Sequence, residues 1–183
     1  MRIIGGEARG RTLVAPKGQN TRPTQDYVRE SLFNILRPRI EDAAVLDLFA
    51  GTGALALESV SRGARLAVMV DSSREALTCI RKNVEAVRCG ECRVIAADYR
   101  EALSRLAGQK EVFDLIFLDP PYRMENTGEI CESIRDRGLL AEDGLIVVEH
   151  RKGTPPAAEG FRVRDHRTYG DTEVTMLEVE EEA

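Results

Sequence analysis

No apolar stretch of this chain approaches the ~20 consecutive residues that a transmembrane helix requires. The opening residues, Met1-Arg2-Ile3-Ile4-Gly5-Gly6, have no apolar core of the kind a secretory signal carries, so a cytoplasmic protein without a membrane partner is expected. Cysteine is scarce as well. Cys79, Cys89, Cys92 and Cys131 are too few and too irregularly spaced for a disulfide framework in 183 residues, and four free thiols in a reducing compartment are the expectation. Cys89-Gly90-Glu91-Cys92 has C-x-x-C spacing, but a second pair at zinc-ligand spacing is missing and the only histidines are His150 and His166. A helix-to-strand turn at Gly90 is expected there, and no metal. Low-complexity tracts are absent too. With 43% hydrophobic and 31% charged residues, the composition is that of a globular chain with a sizeable core.

The net charge of −5 argues against a nucleic-acid partner until it is divided along the chain. Residues 1–40 carry eight basic groups against three acidic ones, an excess of +5, while the remaining 143 residues carry −10. Such asymmetry is a recognised sign of a polyanion-binding arm, and a solvated basic surface is the plainer reading of the same charges.

Glycine and β-forming residues dominate positions 1–20, with Gly5, Gly6 and Gly10 too close together for a regular helix, so a short hairpin or extended arm is predicted. Thr24 is the expected N-cap of a helix whose apolar face is Val28, Leu32, Ile35 and Leu36 and which stops before Pro38. Strands and helices then alternate. Strands are predicted at 44–49, 66–70, 93–97, 112–118 and 144–149, with β-rich stretches at 161–163 and 173–179. Helices fall between them, one capped by Ser72 with Glu75 and another by Asn126 with Glu129. This alternation predicts a doubly wound α/β sheet, with residues 1–40 as an arm-and-helix extension and residues 41–183 as the sheet domain.

Three strand ends carry residues with chemistry. Asp47-Leu48-Phe49-Ala50-Gly51-Thr52-Gly53 is a glycine turn between strand and helix, where backbone can approach a ligand closely. Asp71 ends the second strand, placed to accept ribose hydroxyl hydrogens; Asp98 ends the third, and helix capping is the plainer role for either. Gly51 to Ala56 also satisfies the dinucleotide pattern, but a carboxylate at Asp47 suits a cationic ligand better than a pyrophosphate. S-adenosylmethionine, with a sulfonium and an ammonium and no phosphate, meets that condition. Asp119-Pro120-Pro121-Tyr122 closes the fourth strand, because consecutive prolines cannot continue a ladder. If Asp119 and the Pro120 carbonyl accept the hydrogens of an exocyclic amine, its nitrogen can pyramidalise toward a methyl donor, and Tyr122 offers a face for stacking the base.

Asp47 to Gly53 and Asp119 to Tyr122 resemble the cofactor and catalytic motifs of class I S-adenosylmethionine-dependent amino-methyltransferases. Arg2-Ile3-Ile4-Gly5-Gly6, Gly10-Arg11, Arg22-Pro23-Thr24, Val28-Arg29-Glu30, Leu32-Phe33-Asn34 and Tyr169-Gly170-Asp171-Thr172 are similar to the bacterial RsmD family. The resemblance covers nearly the whole chain. It implies a Rossmann-like, seven-stranded, mostly parallel sheet and methylation of N2 of one guanine in 16S ribosomal RNA, free or within an assembling small subunit. By the same resemblance Asp71 with Ser72 would hold the cofactor ribose and Asp98 with Tyr99 the adenine. Asp47, Phe49, Ala50, Gly51, Thr52 and Gly53 would form the rest of the cofactor site. Family members often have glutamate where Asp71 stands, and the acidic tail from Glu178 to Glu182 lies outside the pattern.

Arg9, Arg11, Arg22 and Arg29 are the expected RNA contacts. Asp-Pro-Pro-Tyr also suits a DNA adenine-N6 methyltransferase, and the N-terminal resemblance favours RNA. A nicotinamide-dependent oxidoreductase and a non-catalytic RNA-binding module are the readings from other classes.

Overall fold

The computed structural model describes residues 1–18 and 23–181. Arg22 and Thr21 lie outside them. An antiparallel bridge between Arg2 and Thr12, with Ile3 N donating to Arg11 O at 3.0 Å and Leu13 N to Met1 O at 2.8 Å, holds the N-terminal arm as the expected hairpin. Helix α1, Pro23–Leu36, follows and passes into a 3-10 turn at Arg37–Arg39. It starts one residue before the cap predicted at Thr24, because the fixed φ of proline suits the first turn of a helix.

The sheet domain then runs β1 (Ala44–Asp47), α2 (Ala54–Ser61), β2 (Leu66–Asp71), α3 (Arg74–Val87), β3 (Cys92–Ala96) and α4 (Tyr99–Gly108). It continues through β4 (Phe113–Leu118), α5 (Thr127–Asp136), β5 (Leu140–Arg151), β6 (Phe161–Tyr169) and β7 (Thr172–Val179). The seven strands form one sheet in the order β3-β2-β1-β4-β5-β7-β6, parallel except for β7, which is antiparallel to both its neighbours. No described helix is long and apolar enough to cross a membrane.

Alternation along the strands divides the core into two faces. Val45, Met69, Leu115, Phe117 and Val147 point to one side, where Leu57 of α2, Ile80 of α3 and Leu36 of α1 cover them. Leu46, Val68, Ile116 and Ile146 point to the other, against Leu106 of α4 and Ile134 of α5. Ile3 and Leu13 of the arm are buried in the first of these clusters.

Four local expectations are corrected. The cap of α3 is Ser73, whose hydroxyl accepts from Ala76 N, while Glu75 turns away to accept from Lys17 N at 3.0 Å. Asn126 precedes α5 without a side-chain cap, because its amide donates to Tyr99 Oη at 3.2 Å. Strand β1 stops at Asp47, two residues early, releasing the chain into the glycine turn. Cys89 and Cys92 are joined by a disulfide across the α3–β3 connection, with Cα atoms 5.6 Å apart, inside the range a bridge spans; only Cys79 and Cys131 remain as thiols, both buried.

Candidate active site

Strand order reverses between β1 and β4, and a ligand crevice opens at the carboxyl ends of strands at such a point. Asp47 ends β1 opposite Phe117 of β4, so the glycine turn and Asp119 stand side by side. Ala50 N donates to Val70 O at 2.9 Å and Gly53 N to Ala50 O at 2.7 Å, fixing the turn between β1 and β2. Gly51 has φ +60, and a Cβ built on it would project into open space with no neighbour within 4 Å. Here the main chain itself borders the crevice. Gly53, with φ +78, is constrained from the other side, since a Cβ there would lie 2.9 Å from Met69 Sδ.

Asp71 anchors this turn directly. One of its oxygens accepts from Gly51 N and the other from Ser73 N, both at 2.9 Å, which leaves lone pairs for a further donor. Ser72 beside it is exposed. Asp98 caps α4 by accepting from Arg100 N. Next to it Tyr99 is buried, its ring 5.4 Å from that of Phe49, so an aromatic wall joins the ends of β1 and β3. Thr52 is buried and faces inward, its hydroxyl accepting from Ala54 N.

Asp47 is 1% exposed and neither carboxylate oxygen completes a hydrogen bond. Burial first, then the charge of Asp71, push its carboxyl up to about 7, and the nearby amides of Ala56 and Phe49 only partly oppose this. A buried carboxylate without a donor is costly, and a cation or a ligand N–H in the crevice would satisfy it. The fit is to the ammonium and sulfonium of S-adenosylmethionine; a pyrophosphate would face an unneutralised carboxylate.

Asp119 follows β4, and although it reaches solvent at the crevice mouth, enough protein surrounds its carboxyl for desolvation to dominate. Desolvation, then the charges of Glu149 and Asp47, hold it well above the usual carboxylate range. Leu118 pairs with Val148, so Glu149 is its neighbour on the adjacent parallel strand; burial raises the Glu149 carboxyl too. Sequence reasoning missed Glu149, although its position at the end of a buried apolar strand was the available signal. Pro120 is buried and Pro121 exposed, its carbonyl accepting from Met124 N to close the turn. Tyr122 is 57% exposed, one side carrying the guanidinium of Arg151 at 5.3 Å from the ring centroid, with its hydroxyl 3.4 Å from Thr172 Oγ1.

The predicted RNA contacts separate. Arg9 and Arg11 are exposed on the arm. Arg29 is not: it is 6% exposed, donates to Arg2 O and Asp26, and lies 3.9 Å from the fully buried Glu58. Its place in the interior corrects the sequence expectation, because a guanidinium at three-to-four-residue spacing from apolar positions points with them into the core.

A family model described as Conserved hypothetical protein 95 matches residues 1–178. The chain is 37% identical to Ribosomal RNA small subunit methyltransferase D of Escherichia coli over 182 residues, covering 98% of this chain and 90% of that one. The chain belongs to the RsmD family. A solved structure of a candidate Escherichia coli methyltransferase, YhhF, superposes with a TM-score of 0.85 at 36% identity, covering 100% and 99% of the two chains. The RsmD-type fold extends to a SAM-dependent methyltransferase from Agrobacterium tumefaciens, with a TM-score of 0.60 at 21% identity over 72% of this chain and 46% of that one.

Proposed function

We propose that the protein is an S-adenosylmethionine-dependent methyltransferase that modifies the exocyclic N2 of one guanine in small-subunit ribosomal RNA. The observation that carries this is the juxtaposition, at one switch point, of an unpartnered buried Asp47 at the end of β1 with Asp119 just past the end of the adjacent strand β4. When bound, the cofactor supplies an electrophilic methyl group on sulfur. Asp47 would face its cationic end, Asp71 would hold its ribose, and Asp98 with the Phe49–Tyr99 wall would hold its adenine.

Asp119 and the Pro120 carbonyl accept the two amine hydrogens of the base. Delocalisation into the ring makes such an amine a poor nucleophile, and holding both hydrogens lets the nitrogen become tetrahedral as the new bond forms. Two prolines keep these acceptors rigid, so little reorganisation accompanies the step. The nitrogen must lose one proton, and the Asp119–Glu149 pair, whose carboxyls are raised by burial, is placed to receive it. Tyr122 presents a ring for the unstacked base, braced by Arg151.

Residues 1–40 act as the RNA-gripping extension, through Arg9 and Arg11 on the arm and Arg22 beyond the described residues. Two surface hollows support this side as the RNA face. One, of about 290 Å³, is lined by Gly6, Asn34, Arg37, Ile40 and Arg62, and the other, of about 420 Å³, includes Tyr27 and Arg167. Mapping the modified base by mass spectrometry, after incubation with undermethylated 16S RNA or small-subunit particles, tests the proposal. A methyl group at guanine N2 is expected, and labelling of duplex DNA alone would overturn it.

A further inference from the structure

Three neighbouring strands bring His150, His166 and Glu173 together, away from the crevice floor. The register does this: His150 pairs with Glu173 across β5 and β7, and His166 pairs with Thr175 across β6 and β7. Residues 173 and 175 share a face because side chains alternate along a strand. One nitrogen of each histidine and a Glu173 oxygen all lie within 4.8 Å of one another. His150 Nδ1 is 3.9 Å from Glu173 Oε2, and His166 Nε2 is 3.6 Å from Oε1.

The opposite edges of both rings converge on a single hydroxyl. His150 Nε2 and His166 Nδ1 lie 2.7 and 2.9 Å from Thr175 Oγ1. That contact sets both rings so that their remaining nitrogens face Glu173. With the His150 proton moved from Nδ1, where Arg151 O accepts it, to Nε2, this becomes the arrangement that metal-ligating histidines use, in which the distal N–H rests on a fixed acceptor, and a hydroxyl oxygen has lone pairs for two such donors. His150 and Glu173 are 7% and 8% exposed, whereas His166 on the outer strand reaches solvent and leaves a path for entry.

We propose that His150, His166 and Glu173 form a binding site for a first-row divalent transition metal ion, with Zn²⁺ the expected occupant. Two imidazoles and one carboxylate are a ligand set that suits zinc, and three protein ligands leave a fourth position for water. Binding exchanges the contact of His150 Nδ1 with Arg151 O, 2.9 Å, for a bond to the ion. Glu173 Oε2 can keep the N–H of Gly153, now 3.1 Å away, on a second lone pair. Ligand distances of ~2 Å require the side chains to close inward by rotation, while the strands that carry them stay paired.

The position gives the ion a consequence. Arg151, next to His150, lies over the Tyr122 ring, and Thr172, next to Glu173, meets the Tyr122 hydroxyl. Zinc at this site would brace both supports of the proposed base-stacking residue.

The experiment is calorimetric titration of the full chain with zinc chloride, on a Cys89→Ser/Cys92→Ser background so that those thiols do not contribute. His166→Asn and Glu173→Gln are compared on that background, with thermal unfolding to verify that each variant is folded. One saturable zinc per chain is expected, lost in both variants and weakened roughly 10- to 100-fold by Thr175→Val. Zinc X-ray absorption should show imidazole nitrogen in the coordination shell. Absence of saturable binding, or binding unchanged in the folded His166→Asn and Glu173→Gln variants, would overturn the proposal.

Discussion

Asn83 and Thr52, 31 residues apart, are joined by a 2.8 Å hydrogen bond from the side-chain amide of one to the main-chain carbonyl of the other. The same amide donates to Val14 O at 2.9 Å, and its Oδ1 accepts from Val14 N at 2.7 Å. One buried side chain in α3 therefore fastens the N-terminal arm to the glycine turn. Replacing Asn83 with leucine leaves three main-chain groups without that partner. At ~0.5–1.5 kcal/mol per hydrogen bond, urea unfolding should show a loss of about 2–4 kcal/mol. Cofactor affinity should fall with it; a variant with unaltered stability would contradict the linkage.

Asp119→Ala should lower the methyl-transfer rate by roughly 10²- to 10³-fold, the scale of losing one group that stabilises charge as the transition state forms. Cofactor affinity should stay nearly constant, because the proposed site assigns the nucleoside to Asp71 and Asp98. Tritium transfer measured beside calorimetry separates the two, and full turnover in the variant would remove Asp119 from the reaction.

Asp47 carries a pH dependence with a definite sign. Its carboxyl is raised from 3.8 to about 7, so between those values the folded protein binds more protons than the unfolded chain. Its contribution to stability is present at pH below 3.8 and is lost as pH rises through about 7. Thermal melts without cofactor should therefore fall across that interval, and Asp47→Asn should flatten the slope. Affinity for the cationic cofactor should rise as Asp47 ionises, and Asp47→Asn should abolish that rise.

Glu149 raises the Asp119 carboxyl through its charge. Glu149→Gln removes that charge, so Asp119 should ionise at lower pH. The acid limb of the pH–rate profile should move down in the variant, and an unmoved limb would remove Glu149 from the pair.

Neutralising Arg9 and Arg11 should reduce the salt dependence of RNA binding by about 0.7–0.9 per arginine, the slope of one phosphate contact. Arg29→Met should act differently. It removes a buried donor from Arg2 O and a cation 3.9 Å from Glu58, although Glu58 keeps Arg62 at 2.9 Å, so the cost is that of an unsatisfied buried acceptor, about 1–3 kcal/mol. Stability should fall while the salt slope of the folded fraction stays.

Much of this was legible from local pattern. Apolar runs located the strand ends at Asp71, Asp98 and Asp119, although β1 was expected to continue to Phe49, and parallel topology then placed these carboxylates and Asp47 along one edge. What escaped the sequence depends on contacts between distant segments. Glu58 carried no signal in the sequence, yet it is buried because the arm folds over it. Arg29 looked like a free cation for the same reason. His150, His166 and Glu173 have no motif spacing, and only the register of three strands brings them together. The Cys89–Cys92 bridge was judged from cysteine number, whereas short loop geometry decided it.

Ile3 and Leu13 sit in the same core cluster as Val45 and Phe117. The arm is therefore not an accessory that could be exchanged between relatives to redirect them to another RNA. Transplanting it would carry part of the recipient's interior with it, and variants that alter substrate choice through these positions should surface first as poorly folding proteins. In a lineage, the proposed RNA grip and the fold are thus inherited together.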